Sequence, residues 1–219
     1  MKYIFLILLV IASAIHLYDS WNDNKRRGVT KPFLLLFIIG YYLCSTDKPY
    51  WVLIAALVTS WLGDVLLIPK GHKWFTMGGI SFLFCHFLFI GVYMRNIDIS
   101  KVNFAVVIPI AAVYYTIVFI VIKNLYATTP KPMIPPMCIY LLANATMNVF
   151  ALKQLFSNPG PGAIVAYAGA VLFFISDCTL YLVRYYKNPD IVFKRHFTVM
   201  LTYILGELLI TQGVIMLGI

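Results

Sequence analysis

Apolar residues recur along this chain in eight runs separated by short polar breaks. The runs cover residues 2–18, 32–46, 50–68, 75–94, 103–122, 133–152, 162–185 and 196–217. A helix that crosses the hydrocarbon core of a bilayer needs roughly 17–25 predominantly apolar residues. The pattern therefore predicts an all-α fold: an integral membrane bundle of eight transmembrane helices in a single transmembrane domain, 1–219. The second run is short, and must tilt little or sit where the bilayer thins. The breaks carry turn chemistry: Gly28, Lys48-Pro49, Pro69, Pro130, the Asn158-Pro159-Gly160-Pro161-Gly162 stretch and Asn188-Pro189-Asp190. The first run has a basic start at Lys2 and an Ala12-Ser13-Ala14 tripeptide like a signal-peptide cleavage site. Apolar character continues through Tyr18, and Lys25-Arg26-Arg27 follow at once, so the run reads as a retained helix.

Composition agrees with this pattern. Hydrophobic residues make up 62% of the chain and charged residues 11%, against about 45–50% and about 25% in soluble domains. The net charge of +9 does not point to nucleic acid, because the basic residues are spread over short loops. Twelve of the 17 Lys and Arg follow the first, third, fifth and seventh runs. The positive-inside rule then makes those loops cytoplasmic and puts both termini on the far side. The membrane is the inner membrane in a bacterial host and the endoplasmic reticulum in a eukaryotic one. Cys44, Cys85, Cys138 and Cys178 all fall inside apolar runs, without zinc spacing or the look of a disulfide framework. No His-x-x-x-His pair, Gly-x-Ser-x-Gly elbow or phosphate-cradling glycine loop occurs. Neither a metal nor an organic cofactor is expected.

The informative residues are those that should not be in a membrane. Asp64 is the only charge between Trp51 and Ile68, and a similar Asp177 lies in the seventh run. An ionisable side chain in a transmembrane segment costs on the order of 2.5–3.5 kcal/mol on insertion scales, and such residues mark functional sites. The structural alternative is interhelical glue through Asn144, Asn148 or a backbone group. Gly63-Asp64-x-x-Leu67 and Ser176-Asp177-x-x-Leu180 correspond, as do Thr30-Lys31-Pro32 and Pro130-Lys131-Pro132. These matches suggest two parallel four-helix repeats with the aspartates at similar depth. Two carboxyls close together in low dielectric would share one proton, giving an acid and a base from identical residues.

Other candidates follow from spacing. Tyr181 and Arg184 lie four and seven residues beyond Asp177 on one helical face, with Arg184 nearer the cytoplasmic surface where a lipid phosphate lies. Lys31 and Lys131 sit at the same surface, and membrane anchoring accounts for such cations equally well. His86 and Glu207 each stand eleven residues into their runs. With the acids, Lys31, Ser60, His86, Asn144, Tyr181, Arg184 and Glu207 outline a site for an amphiphile: phosphate at the rim, reactive bond inside, apolar tail between helices. Trp61, Phe82, Phe84, Phe87, Tyr114 and Tyr115 read as packing or lipid-facing groups.

In order and spacing, four features resemble the YhhN-like lysoplasmalogenase family: the Lys31-Pro32 pair, Gly63-Asp64-x-x-Leu67, the stretch Gly79-Ile80-Ser81-Phe82 through His86, and Ser176-Asp177. The resemblance covers nearly the whole chain at a matching helix count. It implies a membrane hydrolase that cleaves the vinyl ether of lysoplasmalogens to a fatty aldehyde and glycerophosphoethanolamine or glycerophosphocholine. It also implies that Asp64 and Asp177 are catalytic. The partners would be a lysophospholipid substrate, water and membrane lipids, with no nucleic acid. Two other classes fit part of the pattern: a proton-coupled transporter of small molecules or lipids using the same acids, and a lipid-binding scaffold without turnover. Pro109, Pro135 and Pro136, inside the fifth and sixth runs, are the features that favour transport.

Overall fold

A computed structural model describes residues 1–219 and contains eight α-helices and no strand. The helices are α1 Lys2–Trp21, α2 Arg27–Leu43, α3 Trp51–Leu66, α4 His72–Met94, α5 Phe104–Leu125, α6 Ile134–Ser157, α7 Pro161–Tyr185 and α8 His196–Leu217. Six of them are long and apolar enough to cross a membrane, as expected of a multi-pass membrane protein. The exceptions are α2 and α3, with 17 and 16 residues. At 1.5 Å per residue these are about 25 Å long, short of the ~30 Å hydrocarbon core.

Helix boundaries follow local chemistry. Helix α3 stops before Pro69, which drives the preceding residue out of the helical region. Pro135 and Pro136 occupy the opening positions of α6, and Pro161 opens α7, where the missing amide costs nothing. Gly71 precedes α4 at φ 125°, a conformation that other residues adopt only under strain. The sequence misplaces one boundary. Thr30-Lys31-Pro32 does not introduce α2 but lies within it, because the helix starts at Arg27. Pro32 leaves the Gly28 carbonyl without its helical partner. The Pro32 carbonyl accepts a bond of 3.0 Å from the Trp61 indole on α3.

Helices α2, α3, α4, α6, α7 and α8 surround the core, with α1 packed on α2 and α8, and α5 on α6 and α7. The pairings α1–α2, α2–α3, α3–α4 and α2–α8 are matched, four helices on, by α5–α6, α6–α7, α7–α8 and α6–α4. Two pairings have no counterpart of comparable extent: that of α1 with α8 and that of α5 with α7.

The α7–α8 pair is the closest. A Cβ on Gly169 would stand 2.6 Å from the Ile210 amide nitrogen, and one on Gly213 would stand 2.5 Å from that of Ala166. Only glycine lets these backbones meet, the small-residue packing by which membrane helices associate. The α3–α4 pair uses glycine differently. Gly63 makes a notch that the Phe82 ring fills, 2.6 Å from where a Cβ would be.

Candidate functional site

Asp64 and Asp177 are both buried, each within its own set of partners. Asp64 lies near the end of α3. Its Oδ1 is 3.1 Å from the Lys31 ammonium on α2, and its Oδ2 accepts a 2.8 Å bond from the Tyr203 hydroxyl on α8. The Lys31 side chain is 15% exposed and that of Asp64 1%. Both oxygens are therefore satisfied, and a cation balances the charge, as burial of a carboxylate demands. The placement of Pro32 inside α2 matters here, because it sets Lys31 one turn into the helix, facing α3.

Asp177, on α7, has neutral hydrogen-bond donors and an imidazole beside it. Its Oδ2 accepts 2.8 Å from the Tyr140 hydroxyl and 2.6 Å from the Asn144 amide, both on α6. The Asn144 amide is itself held. Asn148 Nδ2 donates to its Oδ1 and to its backbone carbonyl, each at 3.0 Å. His86 Nε2 on α4 lies 3.2 Å from the same Asp177 oxygen but off the line a hydrogen bond requires, so both ring nitrogens stay unbonded. Asp177 Oδ1 accepts no hydrogen bond, and the side chain keeps 5% exposure.

No hydrogen bond joins the two aspartates, so the single shared proton anticipated from the sequence is replaced by two separate shells. Aromatic contacts connect them: the Tyr203 and Phe173 rings are 5.5 Å apart, and Phe173 lies 5.2 Å from the His86 ring. Phe82, seated against Gly63, closes this cluster 5.8 Å from Tyr203. The small residues beside the acids thus serve helix packing. Ser176 donates to the Val199 carbonyl at 2.9 Å and ties α7 to α8.

A third buried carboxyl stands apart from both shells. Glu207 Oε1 accepts from Ser60 at 2.6 Å, and the Ser60 oxygen is 2.8 Å from the Cys85 sulfur. With the Ser60 proton directed to Glu207, the Cys85 thiol is the donor to Ser60. Glu207 Oε2 is buried and unbonded. Ser60 and Glu207 therefore pair with each other and not with an aspartate.

Of the residues chosen from sequence, Lys31 reaches Asp64, and His86 and Asn144 reach Asp177. Tyr181 and Arg184 touch neither acid. Tyr181 stacks among Tyr140, Phe75 and Tyr185, and the Arg184 guanidinium lies 4.2 Å over the Phe75 ring. Two residues the sequence reading passed over, Tyr140 and Tyr203, donate directly to the acids. A signal for them was present. Tyr140, Asn144 and Asn148 stand at intervals of four on α6, as do Tyr203, Glu207 and Thr211 on α8. In both helices this is a polar stripe on one face.

Neither a curated protein nor a solved structure gives a match to this chain. The YhhN family model matches residues 26–214, a span that runs from the basic stretch before α2 almost to the end of α8 and takes in Lys31, both aspartates and every partner described above. The chain belongs to the YhhN family.

Proposed function

We propose that the protein is a membrane hydrolase of lysoplasmalogens, cleaving the vinyl ether at sn-1 to a fatty aldehyde and a glycerophosphoethanolamine or glycerophosphocholine. Membership of the YhhN family supports a hydrolase. The observation that carries the mechanism is the contrast between the two aspartates. Lys31 balances a negative charge on Asp64, while the neutral donors on Asp177 leave one of its oxygens free. In a low-dielectric site with one clear cation, a single ionised carboxyl is the least costly arrangement. Asp177 is then the acid and Asp64 the base.

The reaction needs both. Asp177 Oδ1 gives its proton to the vinyl carbon that bears the alkyl chain, and the carbon next to the ether oxygen becomes an oxocarbenium ion. Asp64 takes a proton from water as the hydroxide oxygen bonds that carbon, forming a hemiacetal. The hemiacetal hydroxyl then returns a proton to Asp177 as the carbon–ether bond breaks. Asp64 protonates the departing glycerol oxygen. One water is consumed, and both acids end as they began. General acid–base catalysis of this kind contributes about 10²–10⁴-fold. The test is aldehyde release from a lysoplasmalogen by purified protein in detergent, with Asp64→Asn and Asp177→Asn alongside. Near-normal turnover by either folded variant would overturn the assignment.

The transport reading rested on helix breaks, and these are not at the site. Pro135 and Pro136 open α6 instead of interrupting it, and Pro109 lies in α5, which contributes no group to either shell. The helices that carry the acids are continuous. Detergent abolishes any gradient, so product formation there separates the two classes.

A further inference from the structure

A crevice of about 200 Å³ opens between α4 and α6, with α7 at its back. Its lips are Ile80 and Ile139, which are 47% and 54% exposed on the surface that faces lipid. Its inner wall is formed by Tyr140 and Tyr181, and Tyr140 is the residue whose hydroxyl donates to Asp177. At the basic end, Phe75 and Tyr185 line the mouth, and the Arg184 guanidinium stands over Phe75 without a carboxylate partner. From Phe75 to Leu83 the crevice follows α4 for about 12 Å, and Arg184 lies about 10 Å along α7 from Asp177. An apolar slot thus leads from the acyl region of the membrane to Tyr140, the donor to Asp177, with the Arg184 cation near its headgroup end.

We propose that this crevice is where a single-chain lysophospholipid binds, reached sideways from the membrane. The chain lies between α4 and α6, and the phosphate meets Arg184. The single bound chain fixes the sn-1 linkage beside Tyr140. This identification of the substrate site rests on the hydrolase reading for its purpose, but binding can be measured without the reaction.

Gly79 supplies the probe. It lines the crevice, and a Cβ built on it meets no atom within 4 Å. Gly79→Leu therefore fills the slot without disturbing packing, and it replaces a helix-interior glycine with a better helix former. The experiment uses lysophosphatidylcholine with a photoreactive ester-linked chain, which has no vinyl ether to cleave, and full-length protein in nanodiscs of diacyl phosphatidylcholine. Adducts are expected on α4 and α6 near Gly79 and Tyr140. They should fall about tenfold in Gly79→Leu and remain in Gly79→Ala. Arg184→Gln should weaken binding about tenfold, the order of one lost charge-assisted contact, without moving the adducts. Adducts on other helices, or adducts that Gly79→Leu leaves unchanged, would overturn the proposal.

Aldehyde assays on the same preparations separate the two readings. Crevice adducts without aldehyde from a lysoplasmalogen leave the binding site and remove the hydrolase. Aldehyde with adducts elsewhere does the reverse.

Discussion

The surroundings of Asp64 and Asp177 share a plan and differ in chemistry. Asp64 on α3 is approached from α2 and from α8, and Asp177 on α7 from α6 and from α4. Adding four to each helix number, and counting round from eight to four, turns one set into the other. Most of the helix pairings around them follow the same rule; the contacts of α1 with α8 and of α5 with α7 do not. The donor types break the symmetry. Where one shell has a lysine and a tyrosine, the other has a tyrosine, an asparagine and an imidazole. Unequal partners around two chemically identical acids are what the proposed acid–base pair calls for.

Replacing the acids tests this contrast most severely. Asp64→Asn and Asp177→Asn should each lower kcat for aldehyde release by about 10²–10⁴. Their stabilities should diverge. Asp64→Asn strands the Lys31 ammonium, and breaking a buried pair in this way costs about 3–5 kcal/mol. The variant should melt clearly earlier in detergent. Asp177→Asn leaves no charge unpaired, and its melting should change much less. Equal melting losses would show that the lysine does not distinguish the shells.

A double variant sharpens the same point. Lys31→Met with Asp64→Asn removes both charges together, so its melting temperature should rise above that of Asp64→Asn alone while turnover stays absent. The coupling energy from this cycle measures the pair. No recovery would place the ammonium in water.

Hydroxyl deletions should do less. Hydrogen bonds between membrane helices average about 0.6 kcal/mol and reach about 1.7, so Tyr140→Phe and Tyr203→Phe should each cost about that range in a melting assay. Their effects on kcat should differ, with Tyr140→Phe the more damaging, because Asp64 keeps Lys31 when Tyr203 is cut back. The smallest expected change is from Asn148→Ala, which frees the Asn144 amide at one remove from Asp177. It should lower kcat about two- to threefold and stability by about 1 kcal/mol or less. A loss as large as that of Asn144→Ala would make Asn148 a direct participant.

Helix number and order were legible because each helix of this apolar chain leaves a long, nearly uncharged run, bounded by short polar breaks. The runs at 162–185 and 196–217 lie within a residue of α7 and α8 at both ends. Legibility failed at Thr30-Lys31-Pro32, since proline opens helices more often than it lies in a second turn, and a lysine beside it reads as an interfacial anchor. The aspartates stood out by cost alone. Their tyrosine partners did not, because a tyrosine in an apolar run is as readily explained by packing as by its hydroxyl. Only the interval-of-four stripes on α6 and α8 distinguish Tyr140 and Tyr203. Arg184 shares a helical face with Asp177 by phase, but helical phase gives no radial distance. It could not show that Arg184 stops at Phe75.

The glycine contact between α7 and α8 has a mechanical meaning for catalysis. One of these helices carries Asp177, and the other carries the tyrosine that steadies Asp64. Backbones pressed together at Gly169 and Gly213 have no side-chain layer between them to shear, so the pair translates as one body. If Asp177 and Asp64 act as proposed, any displacement of one is then transmitted to the support of the other, and the spacing across the reacting bond is kept.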